Sequence, residues 1–376
     1  MDVTVAKKDL MRLVSRAQAV ADKKSTMPVL SNVLLYAEGA SLAVRATDLY
    51  LSVSGTITAE VRRPGSVAVP ARDLLDRVKA MPDGPLHLTS DNGSATVLKA
   101  AGSARRYTLH GVPGGEFPAL PQPKDDAKRI DLPAEMLAML IARTQFSISP
   151  DDTRPNLNSA LFEWADDRVR MVTTDGHRLS KMEVSVPGQR ASASLLLPLK
   201  AILELRRLAE ESKGEGNANV TLIPSEPNAF FEVPSGLFSV KLVEAQFPSY
   251  RQVIPQQSSR SAKIPRAAFA EALRAVSLAA SDRTGGIKLT LTPGMLRITS
   301  ESPESGDGLD EVPMEYDGTE ITIGFNAKYF LDVLGAIDDV EEVVLGLSGE
   351  LDPAVIRPAT ESTERDYVSV VMPMRI

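Results

Sequence analysis

The sequence predicts an α+β fold in which one long module is repeated three times in tandem. The first observation behind this is a recurring segment. Val69-Pro70-Ala71-Arg72-Asp73-Leu74-Leu75 returns as Leu197-Pro198-Leu199-Lys200-Ala201-Ile202-Leu203, and again as Phe325-Asn326-Ala327-Lys328-Tyr329-Phe330-Leu331. The second is its spacing: the steps from 69 to 197 and from 197 to 325 are both 128 residues. Solenoid units run to roughly 20–50 residues, so the repeated object is a whole domain. The third is that helical and strand patterns alternate inside each copy, and 376 residues leave room for three separate cores.

Each copy opens on a helical pattern. In the first, Leu10, Leu13, Val14 and Ala17 fall at i, i+3, i+4 and i+7, with Lys7, Lys8, Arg12 and Arg16 between them. In the second, Met136, Leu137, Leu140, Ile141 and Thr144 follow Pro133, which reads as the first helical residue. In the third, Pro265 precedes Phe269, Leu273, Val276 and Leu278. An apolar strand follows each helix, over 32–36, 160–164 and 287–291. Period-two strands come next, for example 42–46 and 51–55. The recurring segment then starts a second helix, predicted over 71–80, 199–209 and 327–337, and further strands such as 238–243 close the unit. Pro-rich extended connectors at 117–123 and 247–255 place the domains at 1–123, 129–255 and 256–376. The stretches 214–219 and 300–308 read as exposed loops.

Composition excludes several classes. Cysteine is absent, which removes disulfides, thiolate metal sites and cysteine nucleophiles. With 43% hydrophobic and 24% charged residues the chain reads as soluble and globular. No apolar run reaches the ~18 residues that span a bilayer. The first residues carry neither the apolar core nor the cleavage pattern of a secretory signal, so the expected location is cytoplasmic, without membrane contact.

The net charge is −7, yet the charge is unevenly shared. The six helical segments with their flanks (7–24, 71–80, 133–146, 198–208, 265–280, 326–337) hold sixteen Lys and Arg against eight Asp and Glu. The remainder therefore carries −15. Helix propensity favours Glu as much as Lys, so a surplus of one sign calls for a reason. Equivalent helices facing one way would make a basic surface suited to a phosphate backbone, without selecting any base.

Signs of catalysis are sparse. The histidines are His87, His110 and His177. Thr174-Asp175-Gly176-His177-Arg178 offers a carboxylate beside an imidazole, but the pattern fits a tight Asp-Gly turn between two strands better than a dyad. No phosphate-binding G-x-x-x-x-G-K-[ST] loop and no H-E-x-x-H pair occurs. The expectation is a non-catalytic protein without cofactor or metal.

Four segments carry a resemblance. They are Thr174-Asp175-Gly176-His177-Arg178-Leu179, the run 241–250 (KLVEAQFPSY), Gly324-Phe325-Asn326, and the terminal 371–376 (VMPMRI). In this order, on a threefold repeat, the chain resembles the bacterial DNA polymerase III beta subunit, the replicative sliding clamp, along essentially its whole length. The resemblance implies three tandem DNA-clamp domains, each with two helices on antiparallel sheets. It further implies a head-to-tail homodimeric ring of pseudo-sixfold symmetry around duplex DNA, with helices lining the hole. Expected partners are duplex DNA of any sequence, the replicative DNA polymerase subunit, an ATP-dependent clamp loader, and other proteins bearing a clamp-binding motif.

Residue by residue, the resemblance places a peptide groove between the second and third domains. It is expected to take Leu157, Thr174, Gly176, His177, Arg178, Leu179, Pro248 and Val253 from the second. From the third it takes Asn326, Tyr329, Ser348, Val370, Met372, Pro373, Met374 and Arg375. Methionine suits varied partners, and Arg178 and Arg375 would hold carbonyls or an acidic flank. DNA contacts are expected at Lys24, Lys200, Arg206 and Arg207, with Arg72, Arg77 and Lys79 on the same class of helix. The dimer contact would set Tyr107 and Leu109 against Leu278, with Arg105 and Arg106 near Glu301 or Glu304. Against the family pattern, Gln252 replaces a basic residue beside the groove. Two alternatives compete: a peptide-binding scaffold that does not encircle DNA, and an enzyme using Asp175, His177 and Arg178.

Overall fold

The computed structural model describes residues 1–21, 25–91, 95–165, 167–188, 192–214, 219–281, 285–303, 306–360 and 362–375. The first copy contains β1 (Asp2–Ala6), α1 (Lys7–Val20), β2 (Asn32–Glu38), β3 (Ser41–Thr47), β4 (Leu51–Thr58), β5 (Glu60–Arg63) and β6 (Gly65–Pro70). It continues through α2 (Ala71–Ala80), β7 (Pro85–Asp91), β8 (Ala95–Ala100) and β9 (Arg106–His110), with β10 (Val112–Pro113) just before its connector. The second copy contains β11 (Ile130–Pro133), α3 (Ala134–Ala142), β12 (Ser159–Ala165), β13 (Arg168–Thr174), β14 (Arg178–Ser185) and β15 (Ala193–Pro198). Then come α4 (Leu199–Gly214), β16 (Asn219–Ser225), β17 (Asn228–Val233), β18 (Gly236–Lys241) and, in the connector, α5 (Tyr250–Val253). The third contains β19 (Arg260–Pro265), α6 (Arg266–Ser277), β20 (Gly286–Thr292), β21 (Met295–Ser302), β22 (Gly306–Pro313) and β23 (Ile321–Asn326). It ends with α7 (Ala327–Ala336), β24 (Glu342–Leu347), β25 (Ala354–Pro358) and β26 (Arg365–Val371).

The recurring segment marks one junction three times: the end of β6, β15 and β23 and the first turn of α2, α4 and α7. Val69, Leu197 and Phe325 are fully buried strand ends, and Leu74, Ile202 and Phe330 are fully buried on the helices. Pro70 and Pro198 stop the strand; Asn326 does the same work differently, its Oδ1 accepting the Lys328 N–H at 2.9 Å. The final position is not equivalent, since Leu75 is buried while Leu203 is exposed.

Several boundaries differ from the sequence reading. A short strand precedes each first helix, so Pro133 ends β11 instead of starting α3. Thr144 lies beyond α3; its hydroxyl donates to the Leu140 carbonyl at 2.7 Å, competing with the backbone ladder. Most described residues of 300–308 are strand: β21 pairs with β22, setting Thr299 opposite Leu309 and Ser300 opposite Gly308. The segment's Ser, Glu, Gly and Asp residues suggest a loop, but strand pairing decides against composition, with only β22 at the sheet edge. Of 214–219, Gly214 ends α4 and Asn219 begins β16, and the residues between lie outside the described ones. The extended connector 247–255 contains the single-turn α5.

By its contacts the chain forms two compact units, Met1–Ala134 with Glu211–Leu242, and Glu135–Glu210 with Val243–Ile376. Unit one holds a nine-stranded sheet, β10-β6-β2-β3-β4-β18-β17-β16-β11, and a five-stranded sheet, β5-β1-β7-β8-β9. Unit two holds an eight-stranded sheet, β15-β12-β13-β14-β26-β25-β24-β19, and a four-stranded sheet, β22-β21-β20-β23. The second copy is therefore divided, because its last strands complete the sheet of the first copy. Pairing of β4 with β18 sets Ser52 opposite Ser239; pairing of β14 with β26 sets Ser180 opposite Ser369, and each pair is hydrogen-bonded through its hydroxyls. The equivalent strands β9 and β22 stand at sheet edges.

Gly236, at the start of β18, shows how close the β4–β18 joint is. Its φ of 156° disfavours side chains, and a Cβ would lie 2.2 Å from the Ser54 carbonyl oxygen. Gly236→Ala is expected to cost about 1–3 kcal/mol, read as an earlier denaturant transition with faster hydrogen exchange in β4 and β18.

Candidate partner-binding groove

The expected groove residues all fall in unit two, and the β13–β14 hairpin organises them. Thr174 Oγ1 donates to the Arg178 carbonyl at 2.7 Å and accepts the Gly176 N–H at 3.1 Å. Asp175 Oδ1 accepts the N–H groups of His177 at 2.9 Å and Arg178 at 3.0 Å. Gly176 has φ 92°, a left-handed value that glycine adopts without penalty. The same turn is built at the β3–β4 hairpin. There Thr47 Oγ1 donates to Leu51 O at 2.9 Å and accepts Leu49 N–H, while Asp48 Oδ1 accepts Tyr50 and Leu51 N–H. The Thr-Asp pair is thus a turn device used twice. A dyad of Asp175 with His177 is not formed, because Asp175 is committed to its own turn.

Arg178 is the keystone of this hairpin and is not free to receive a partner's acid, as the sequence suggested. Its Nε meets Asp175 Oδ2 at 3.0 Å, one terminal nitrogen meets Asp332 Oδ2 at 2.6 Å, and the other donates to the Phe146 carbonyl. The guanidinium lies 4.6 Å from the Tyr329 ring centroid and 5.4 Å from that of Phe146. Only 8% of Arg178 is exposed. Burial raises the Tyr329 phenol pKa, aided by the nearby Asp175 carboxylate, so the ring remains neutral. Phe146 and Asp332 are not legible as site residues in the sequence, since nothing in their local surroundings links them to Arg178.

The floor is apolar. Leu157, Leu179 and Val370 are buried, and Leu179 and Val370 share a core with Leu161, Val172 and Tyr250. The connector crosses this core, with Phe247 and Ile254 packed on it, Pro248 half-buried and Val253 exposed. The C-terminal segment forms another wall. Met372 N–H donates to the His177 carbonyl at 2.9 Å and Met374 N–H to the Gly324 carbonyl at 2.9 Å. Met372 and Arg375 are exposed, Pro373 and Met374 half-buried. Asn326 and Tyr329 stand at the start of α7. Ser348 lies past β24, its hydroxyl taking the Ser259 N–H at 3.2 Å. The arrangement suits an extended apolar segment, with half-exposed methionines able to repack around different side chains.

The expected DNA residues are placed as follows. Lys24 lies outside the described residues. Arg72 pairs with Asp76 at 3.7 Å and Arg77 with Asp73 at 3.2 Å, both along α2, while Lys79 is exposed. On α4, Lys200 and Arg206 are exposed and Arg207 meets Glu204 at 3.0 Å. Of the expected dimer residues, Tyr107 is half-buried and Arg106 exposed on edge strand β9, and Arg105 donates to the Ala80 carbonyl. Leu109 is buried within its own module and offers no surface. Leu278, just past α6, is 85% exposed; Glu301 is exposed, and Glu304 lies outside the described residues.

Sheets completed across copies, with the expected groove residues gathered at one such junction, define a multimodule clamp-type protein. Three family models match this chain, the N-terminal, central and C-terminal domains of the DNA polymerase III beta subunit, over residues 1–121, 131–249 and 251–375. The beta sliding clamp of Pseudomonas aeruginosa is 33% identical over 379 residues, with 100% of each chain covered. The crystal structure of the DNA polymerase III subunit beta from that organism superposes with a TM-score of 0.92 at 32% identity, again covering 100% of each chain. The Thermotoga maritima beta subunit gives 0.92 at 26% identity, covering 100% of this chain and 99% of that one. The chain belongs to the DNA polymerase III beta subunit family. Among the described residues no group of three or more His, Asp or Glu is placed to hold a metal, and no helix is long and apolar enough to cross a membrane.

Proposed function

We propose that the chain is a non-catalytic processivity factor whose two copies close head to tail around duplex DNA. The groove at the β14–β26 junction then tethers the replicative polymerase subunit and other proteins with a matching motif. The observation that carries this is the pair of unmatched edges. Within the chain, β4 joins β18 and β14 joins β26, while their equivalents β22 and β9 stay unpaired. A second copy joined in the same manner would complete both half-sheets twice over, giving a closed heterologous assembly of six modules. The modules run 1–123, 129–255 and 256–376. In this reading the cations of the second helices, Lys200, Arg206 and Arg207 with Arg72, Arg77 and Lys79, face the phosphates together with Lys24. Such contacts bind without reading sequence, which permits sliding. A ring must be opened to load, and the chain has no phosphate-binding loop of its own, so an ATP-dependent loader is required; the assembly works in the cytoplasm.

Sedimentation should give a dimer. On nicked circular DNA, with loader and ATP, the protein should be retained and then released when the circle is cut. Retention on linear DNA with open ends would overturn the ring. Reversing Lys24, Lys200, Arg206 and Arg207 should reduce loading and flatten the salt dependence by about one unit of slope for each phosphate no longer neutralised. A scaffold that never meets DNA would be indifferent to that change.

A further inference from the structure

Beside the connector, the eight-stranded sheet carries a row of charged side chains. Register sets Glu163 opposite Arg170, Arg170 opposite Glu183, and Glu183 opposite Asp366. Two carboxylates facing each other across β14 and β26 repel unless cations neutralise them. Glu183 is held by Arg168 at 3.0 Å and Arg170 at 2.7 Å, and Asp366 by Lys181 at 2.7 Å and Arg357 at 3.5 Å. Glu163 is held by Arg170 and Arg251, each at 3.6 Å, and by the Tyr250 hydroxyl at 2.7 Å. Five cations thus serve three carboxylates, and the surplus is concentrated at one place. A pocket of about 330 Å³ opens there, lined by Arg170, Lys181, Arg251 and Arg357 against the single acid Glu183, with Tyr250 and Gln256 adding polar groups. Arg251 and Arg357 stand at its mouth, with side chains 69% and 41% exposed, while Arg170 and Lys181 lie deeper, at 19% and 17%.

We propose that this pocket is an anion subsite that receives aspartate or glutamate side chains from the partner segment whose apolar residues occupy the groove. The connector is the shared wall. Pro248 and Val253 serve the groove, while Tyr250, Arg251 and Gln256, from the same stretch, line the pocket. Although the whole chain carries −7, four cations against one acid make this hollow locally positive, which suits carboxylates brought to it. Its inner cations are desolvated enough to escape full screening, whereas those at the rim exchange one carboxylate for another at little cost. Naming the partner segment rests on the groove reading; the anion subsite does not.

The test is calorimetric titration of acetyl-hexaglutamate amide into the full-length protein. Wild type should bind it, and Arg251→Ala/Arg357→Ala should weaken binding about tenfold or more. In that variant Asp366 retains Lys181, and Glu163 retains Arg170 and Tyr250, so the sheet keeps its pairs. Arg251→Lys/Arg357→Lys should restore most of the binding, which a merely unfolded site would not. Met372→Asp, which spoils the groove, should leave hexaglutamate binding unchanged, so that failure of the groove and failure of the pocket are separately visible. Absent binding, or equal affinity in wild type and the alanine variant, overturns the proposal. So does equal capture of inorganic phosphate, which would make it an unselective anion trap, or preferential capture of a thymidine oligonucleotide, which would assign the pocket to nucleic acid.

Discussion

Truncating Arg178 to alanine is expected to destabilise unit two by about 3–5 kcal/mol, the cost of breaking a buried ion pair by removing one partner. The side chain satisfies Asp175, Asp332 and the Phe146 carbonyl together, and it fills the space between two aromatic rings. Its removal strips the β13–β14 hairpin of its tie to α7, and with it the geometry that sets His177 O for the Met372 N–H. Partner-peptide binding should fall in parallel with the urea midpoint. Arg178→Lys should recover only part of the stability, because an ammonium keeps the charge but neither the fork nor the planar stacking. If Arg178→Ala leaves the urea midpoint unmoved, the keystone role is wrong.

On the proposed ring, Leu278→Asp should leave the protein monomeric at concentrations where the wild type would be dimeric. Leu278 is 85% exposed in the single chain and belongs to the module that carries edge strand β22. Covering a leucine contributes about 1.5–3 kcal/mol, and a carboxylate at the same place adds a desolvation cost. Each of the two interfaces should therefore weaken by about 2–4 kcal/mol, roughly 30- to 1,000-fold apiece, and the ring loses both contributions. Sedimentation reads this directly, and retention on circular DNA should disappear with it. The melting transition of the separate chain should stay within about 0.5 kcal/mol of wild type, as for other exposed substitutions. Leu109→Asp would make a poor substitute, since Leu109 is already inside its own module and would unfold it.

Much of the architecture is readable in one dimension. Helix stripes such as Leu10, Leu13, Val14 and Ala17 report a buried face through spacing alone, and all four are buried on α1. The strand-to-helix junction at 69, 197 and 325 recurs because an apolar strand end, a stop and a helix start are all local requirements. The Thr-Asp turn at Thr47-Asp48 stands in the sequence as a plain repeat of Thr174-Asp175, a signal that spacing and apolar pattern do not pick out. The start of β22, within 300–308, reads as a loop because this polar edge strand lacks the apolar alternation that identifies strands. The groove residues are legible only as a resemblance. Leu157, Leu179 and Val370 are chemically ordinary, and what sets Leu179 and Val370 apart is the connector's Phe247 and Ile254 packing on their core.

The alternation of helical and strand patterns, the threefold copying and the lack of thiol chemistry belong to the sequence alone, because periodicity and composition act between near neighbours. Tertiary structure decided which copies share a sheet, where the central copy divides, and that Arg178 is a brace instead of a hand held out to a partner. It also set carboxylates and cations in one row beside the connector. These outcomes depend on strand register, which brings together residues as distant as Ser180 and Ser369, and no local pattern encodes a pairing across that separation.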